Sequence, residues 1–301
     1  MPVHPTSILF VTLDSCRYDT FATAKTPNFD RVGELHRAMA PGSFTFSSHS
    51  AMFMGHTPGV AGVHEPYTNP RYGQIFRLAG GGTGLAPFVS LKGRNIIDGL
   101  SRIGYLTVGV GAMRWFNPET LTSRTLVFAF DKFFYSGNQY SLRAQLEFIR
   151  TTIAGVQRPV FVFINVGETH TPYFHEGADW SYDDNPCREL ADDNDADECR
   201  RRQTACLEWV DTEMAGMLDL FAGANTLVCA DHGDAWGEDG LWTHGFFHEK
   251  VLEVPLLHRL QNRPVNPRRP TKRAGSTDKV ANSIADTARN VDRRLRRFAQ
   301  R

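Results

Sequence analysis

Acids, imidazoles and hydroxyls recur in this chain at the ends of apolar runs, where side chains can do chemistry. Asp14 closes "SILFVTLD", Glu168 and His170 end "PVFVFINVGETH", and Asp231 and His232 stand together in "NTLVCADHGD". His244 follows in "THGFFHE". Carboxylates and imidazoles that converge on one place make a natural cage for a divalent cation. Mixed aspartate and histidine ligands suit zinc or manganese, whereas calcium and magnesium favour oxygen alone. A further stretch, "APGSFTFSSHSAMFMGHTP" from Ala40 to Pro58, crowds serines and a threonine around His49. Such a hydroxyl attacks an ester only when a base or a metal lowers its pKa. Local alternatives exist for both features: Asp14 as a helix cap after a strand, and a hydroxyl capping the helix "SSHSAMFMG".

Elements of regular structure must bring these groups together. The runs "SILFVTLD", "YLTVGVGA", "PVFVFINVGETH" and "NTLVCADHGD" are short and continuously apolar, as expected of strands buried on both faces. Between them, "SLRAQLEFIRTTIAG" and "CRRRQTACLEWVDTEMAGMLDLF" read as helices. Strands alternating with helices predict an α/β fold, a mainly parallel central sheet flanked by helices on both faces. Ligands of such sheets bind beyond the carboxyl ends of the strands, which is where the acids and histidines fall.

Composition bounds the reading. At 301 residues the chain is long enough for one large domain, and 41% apolar with 22% charged residues is a globular composition. Lysine plus arginine equals aspartate plus glutamate at 33 each, so nothing in the overall charge attracts nucleic acid or an anionic membrane. No apolar run approaches the roughly 20 residues of a membrane helix. The start does not read as a signal peptide. Five irregularly spaced cysteines suit reduced thiols and a cytoplasmic location. Cys187, Cys199 and Cys206 with His175 fit no usual metal spacing. Charge is uneven locally: the segment about 176–199 is an acidic insertion, and residues 261–301 form a basic tail. Within the tail, Ile284, Ala288, Val291, Leu295 and Phe298 are spaced for an amphipathic helix that would pack on the domain, a second copy or a partner protein. "LAGGGTGLAP" (Leu78 to Pro87) lacks the ending of a phosphate loop and reads as a flexible loop.

The segments "VTLDSCRYD", "TPNFDRV", "TFSSHSAMFMGHTP", "ETHTPY", "ADHGDAWGEDG" and "HGFFHEKVLEVPLL", in that order, resemble the sulfatase-like branch of the alkaline phosphatase superfamily. The resemblance spans Ile8 to Leu257, a domain of residues 1–260. It implies one or two divalent metal ions, with Asp14, Asp231 and His232 at metal-ligand positions. Aligning "MGHTP" with the family pattern puts Thr45 at the nucleophile, also beside the metal, and Ser47, Ser48 and His49 in the places of a Pro-Ser-Arg core. Neither cysteine nor serine stands at the key position, which excludes the formylglycine modification. A threonine there resembles the phosphodiesterase and phosphoethanolamine-transferase branches. Ser43 and Ser47 are the other candidates for the nucleophile. His170 and His244 match positions that contact substrate oxygens, assist the leaving group or bind a second metal, and Glu168 is a weaker match to a ligand. Lys92 and Arg94 could offer charge to an anionic substrate.

The implied activity is a metal-dependent hydrolase of phosphate mono- or diesters, or a phosphoryl transferase, acting on a small anionic ester through Thr45. Two alternatives stay open: a sulfate- or phosphonate-ester hydrolase of the same superfamily, and a non-catalytic metal-binding scaffold. The usual carboxyl-terminal subdomain of the family is not expected, because the resemblance stops near Leu257.

Overall fold

A computed structural model describes residues 2–55 and 95–261. Lys92, Arg94, the glycine-rich segment 78–87 and residues 262–301, with the basic tail and its helix, lie outside the described residues. The strands are β1 (Ile8–Leu13), β2 (His36–Met39), β3 (Leu106–Gly111), β4 (Lys132–Tyr135), β5 (Val160–Val166), β6 (Asn225–Ala230), β7 (Ala235–Trp236), β8 (Trp242–Thr243) and β9 (Glu253–Arg259). The helices are α1 (Tyr18–Thr23), α2 (Thr45–Met54), α3 (Ile96–Arg102), α4 (Leu121–Val127), α5 (Leu142–Ile153), α6 (Ala196–Leu220) and α7 (Glu249–Leu252).

Seven strands form one sheet in the order β2-β9-β6-β1-β5-β3-β4, with β7 and β8 in a separate hairpin. β1 lies between β5 and β6 and is parallel to both, while β9 runs against its two neighbours. Side chains alternate between the faces of a strand, so each apolar run supplies two cores. Leu9, Val11 and Leu13 of β1 and Val160, Val162, Ile164 and Val166 of β5 pack toward α5 and α6. Phe161 and Phe163 of β5, with Ile8 and Phe10, pack on the other face against Phe46 and Phe53 of α2, Ile97 of α3 and Leu126 of α4. That second core is aromatic, with Phe53 and Phe163 edge-to-face at 5.0 Å. Burial on both faces is the physical reason these strands carry no polar alternation. The α/β class and the helices on both faces agree with the sequence reading.

One boundary differs. The acidic stretch is not loop throughout, because its last residues form the first turn of α6. The Asp195 side chain caps that turn by accepting from the Glu198 N–H at 3.0 Å, and Asp197 and Glu198 follow in the first turn. Acids at a helix start are stabilised by the unpaired N–H groups there. The cysteines set aside as a metal site instead pack together: Cys187, Cys199 and Cys206 are buried with Tyr173 and Trp236.

Candidate active site at the carboxyl edge of the sheet

The strand order explains the site. β1 and β6 are neighbours in register, with Leu13 opposite Ala230, so Asp14 and Asp231 leave the sheet side by side. The Asp14 carboxylate accepts from Asn165 Nδ2 at 3.0 Å, and the Asp14 carbonyl accepts from the Thr169 hydroxyl at 2.7 Å. Asp231 Oδ1 accepts from the Ser15 and His232 backbone N–H groups at 3.2 and 3.0 Å, and the Asp231 carbonyl accepts from Ser48 Oγ at 2.6 Å. The Gly233 carbonyl accepts from His232 Nδ1 at 3.0 Å, which leaves the Nε2 lone pair facing the acids. Gly233 has its own steric reason, since a Cβ there would run into the Lys250 carbonyl.

Thr45 is the first residue of α2 and follows the extended Phe44. Its Oγ1 lies 3.3 Å from Asp14 Oδ2 and 3.5 Å from His232 Nε2. Two neighbouring hydroxyls point elsewhere: Ser47 donates to the Phe44 carbonyl at 2.8 Å, and Ser48 is committed to the Asp231 carbonyl. Thr45 is therefore the hydroxyl that the helix start turns into the acid-histidine cluster. His49 has the opposite character. Its Nδ1 donates to the Thr45 carbonyl at 2.7 Å and its Nε2 meets Thr12 Oγ1 at 2.9 Å, and burial lowers its pKa to about 4. It holds the first turn of α2 in place as a neutral ring.

The cluster fits a cation. Asp14, Asp231 and His232 each offer a ligand atom within 4.8 Å of the others, and all three side chains are fully buried. His232 Nε2 lies 3.7 Å from Asp14 Oδ1 and 3.6 Å from Asp231 Oδ2, too long for hydrogen bonds. Ligand atoms around a tetrahedral ion with bonds of about 2.0–2.1 Å stand about 3.3 Å apart, close to this spacing. Asp231 Oδ2 is a buried acceptor without a hydrogen-bond partner. Burial, then the charge of Asp14, push the Asp231 pKa well up. Burial and the nearby His244 lower His232 to about 3, so its ring is a neutral ligand. A buried, lone carboxylate oxygen beside a second carboxylate is what a bound cation would compensate.

His170 and His244 form the other wall. Their ring centroids are 5.1 Å apart, and His244 is 4.3 Å from His232. The Thr171 carbonyl accepts from His170 Nδ1 at 2.7 Å, and burial lowers the pKa of that ring. His244 Nδ1 meets Asp234 Oδ1 at 2.6 Å. Burial opposes charge on His244, but Asp234 outweighs it and the pKa is raised. In turn, burial works against ionisation of Asp234, yet the histidines hold it at about 2. Each of these imidazoles thus spends Nδ1 on the protein and presents Nε2.

Glu168 stands apart from the cluster of Asp14, Asp231 and His232. Its Oε1 accepts from the Leu142 N–H at 2.9 Å at the start of α5, and burial raises its pKa to about 7. An unfolded glutamate titrates near about 4.3. The folded state then holds the proton longer, so stability is lost as pH rises from about 4 through about 7. Glu168→Gln is expected to flatten that slope: unfolding free energies from urea titrations of variant and wild type should agree at pH about 4, with the variant higher at pH about 8 by about 3 kcal/mol.

Sequence reasoning did not single out Asn165, Tyr173, Asp234 or Arg17. Asp234 had a signal, since it lies beside His232 in "DHGD". Arg17 is buried and joins the loop after β1 to the β7–β8 hairpin. It donates to Asp19 at 2.8 and 2.6 Å, to Glu238 at 2.8 Å and to the Asp234 carbonyl at 3.2 Å, and it lies 4.1 Å over the Trp236 ring. Arg17→Ala should cost about 3 kcal/mol in a urea titration, because it leaves Glu238 without its cation and Asp19 with only Lys250 at 3.5 Å.

No protein-family model matches the chain, and no curated protein sequence does. Solved structures do match in shape. The C-terminal periplasmic domain of phosphoethanolamine transferase EptC from Campylobacter jejuni aligns with a TM-score of 0.59 at 13% identity, over 85% of this chain and 80% of that one. The corresponding EptC domain of Escherichia coli in complex with Zn gives 0.57 at 11% identity, over 86% and 73%. A protein in the alkaline phosphatase superfamily from Vibrio parahaemolyticus gives 0.51 at 15%, over 89% and 62%. The chain has the sulfatase-like fold of the alkaline phosphatase superfamily. Within that fold, its shape is similar to the phosphoethanolamine-transferase domains.

Proposed function

We propose that the protein is a metal-dependent enzyme of phosphate mono- or diesters that forms a covalent intermediate on Thr45. The observation that carries this reading is the Thr45 hydroxyl at 3.3 Å from Asp14 and 3.5 Å from His232 within one buried cluster. Asp14, Asp231 and His232, with Thr45 beside them, would hold one divalent cation, and zinc or manganese suits this mixed donor set. Such a cation supplies Lewis acidity, which lowers the pKa of a hydroxyl and polarises phosphoryl oxygens. Thr45 Oγ1 passes its proton to Asp14 Oδ2, its hydrogen-bond acceptor at 3.3 Å, and attacks phosphorus from the positive end of α2 as the bond to the ester oxygen breaks. His244 Nε2 gives its proton to the departing alkoxide, while the neutral His170 ring, with its proton on Nδ1, presents an Nε2 lone pair that accepts from a substrate or acceptor hydroxyl. Water or an acceptor alcohol gives its proton to the His244 Nε2 left free by the first step and takes the phosphoryl group, and the Thr45 oxygen recovers its proton from Asp14. The phosphoethanolamine-transferase neighbours support the transfer branch, and either branch takes a small anionic ester. We keep the cytoplasm as the compartment because all five cysteines are buried free thiols. Among the described residues no helix is long and apolar enough to cross a membrane.

The test is turnover of aryl phosphate monoester, phosphodiester and sulfate substrates by metal-loaded and chelated protein. The reading expects a phosphate ester to be cleaved and chelation to stop it. Sulfate as the preferred substrate moves the protein to the sulfatase alternative. Inertness toward every class, with metal still bound, favours the scaffold.

A further inference from the structure

We propose that Tyr173 and Asp234 are positioning residues that fix the ring of His244, so that its Nε2 meets the leaving oxygen of the substrate. This rests on the proposed phosphoester reading for what His244 does, but its geometry stands by itself. Tyr173, Asp234 and Trp236 are buried and joined end to end. Trp236 Nε1 donates to the Tyr173 oxygen at 2.8 Å, the Tyr173 hydroxyl donates to Asp234 Oδ2 at 2.7 Å, and Asp234 Oδ1 meets His244 Nδ1 at 2.6 Å. With its oxygen filled by the indole donor, the phenol must give its proton to Asp234. With Oδ2 occupied, Asp234 turns Oδ1 to the imidazole. Each bond therefore dictates the direction of the next, and the chain ends at one ring in one tautomer.

The backbone points the same way. Tyr173 sits at φ 57°, a left-handed conformation that a bulky residue adopts only at a cost. Its surroundings over-determine it: its N–H donates to the His170 carbonyl at 2.8 Å, and its carbonyl accepts from Trp180 Nε1 at 2.8 Å. Filling an apolar pocket would not need the phenol oxygen held between two partners. An orienter that acts through a histidine does need it, as in other carboxylate–imidazole pairs.

The experiment uses the full chain, metal-loaded, with aryl phosphate esters of graded leaving-group acidity. Wild type, Tyr173→Phe, His244→Ala and the double variant are compared. Tyr173→Phe should lower kcat about 10- to 100-fold on the poorest leaving group and less than about 3-fold on the best, with KM unchanged. In the His244→Ala background it should have no further effect. Asp234→Asn keeps the side-chain shape and must show the same pattern. It decides the matter should the tyrosine variant not fold. A loss equal across the ester series, or undiminished without His244, overturns the proposal. If wild type cleaves no ester, the phosphoester reading fails separately, and nitrogen NMR of the histidine rings decides the positioning. A hydrogen-bonded His244 Nδ1 proton that shifts or vanishes in Tyr173→Phe supports it. Unchanged His244 signals overturn it.

Discussion

Thr45→Ala is expected to remove at least about two orders of magnitude from turnover, about 3 kcal/mol of barrier, while the protein stays folded and keeps its metal. The methyl that remains still packs at the start of α2, and Asp14, Asp231 and His232 keep their hydrogen bonds to Asn165, Ser15 and Gly233. What is lost is the oxygen that contacts Asp14 and His232. Thr45→Ser should restore much of the rate, because the serine oxygen can take the same place. Kinetics with metal content measured in parallel checks both variants. A Thr45→Ala protein with wild-type turnover would end the nucleophile assignment and return Ser43 or Ser47 to consideration. Ser47 is the poorer substitute, since its hydroxyl is already bonded to the Phe44 carbonyl.

Asp231→Asn should act in opposite directions on function and on stability. Function falls because a ligand loses its charge; even residues outside the ligand shell cost 10–100-fold in metal affinity, so at least about a hundredfold loss is expected here. Stability of the metal-free protein should rise by about 1–2 kcal/mol. In the wild type, Asp231 Oδ2 is buried without a partner and stands near a second carboxylate, which is why burial drives its pKa up. An amide removes that charge and sets a donor opposite the His232 Nε2 lone pair. Melting curves with and without a chelator separate the effects. The chelated variant should melt above chelated wild type, and metal should raise the melting point of wild type only. A chelated variant that melts lower would mean that the carboxylate is not an uncompensated charge.

These two expectations also mark what the sequence carries and what it cannot. β1, β3, β5 and β6 were legible because burial on both faces makes their residues continuously apolar. Asp14, Asp231 and His232 were legible because they end such runs. β2 was not: His36, Arg37 and Met39 are exposed, so its pairing leaves no apolar pattern. β9 was hidden by Pro255, which argues against a strand with neighbours on both sides yet pairs with Arg37. The choice of Thr45 needed the family resemblance, since neighbouring hydroxyls have the same chemistry and only the direction of the first turn of α2 separates them. His49 seemed a candidate by place, and both of its nitrogens turn out to be spent on the fold. The chain from Trp236 through Tyr173 to His244 was out of reach, because it joins segments that meet only once the sheet is assembled.

The position of β1 has a consequence for biosynthesis. β1 is synthesised before both of its partners, which begin at Val160 and Asn225, so "ILFVTL" waits without a cover until they emerge. Local contacts cannot shelter it, and pairing at such separations is slow. The nascent chain therefore exposes this apolar strand until its partners are made, a natural client for a holding chaperone. It has no cluster of Asp14 with Asp231 and His232 until β6 has slotted in beside β1. Any metal that this cluster takes would therefore arrive late in the life of the chain, after the core has closed.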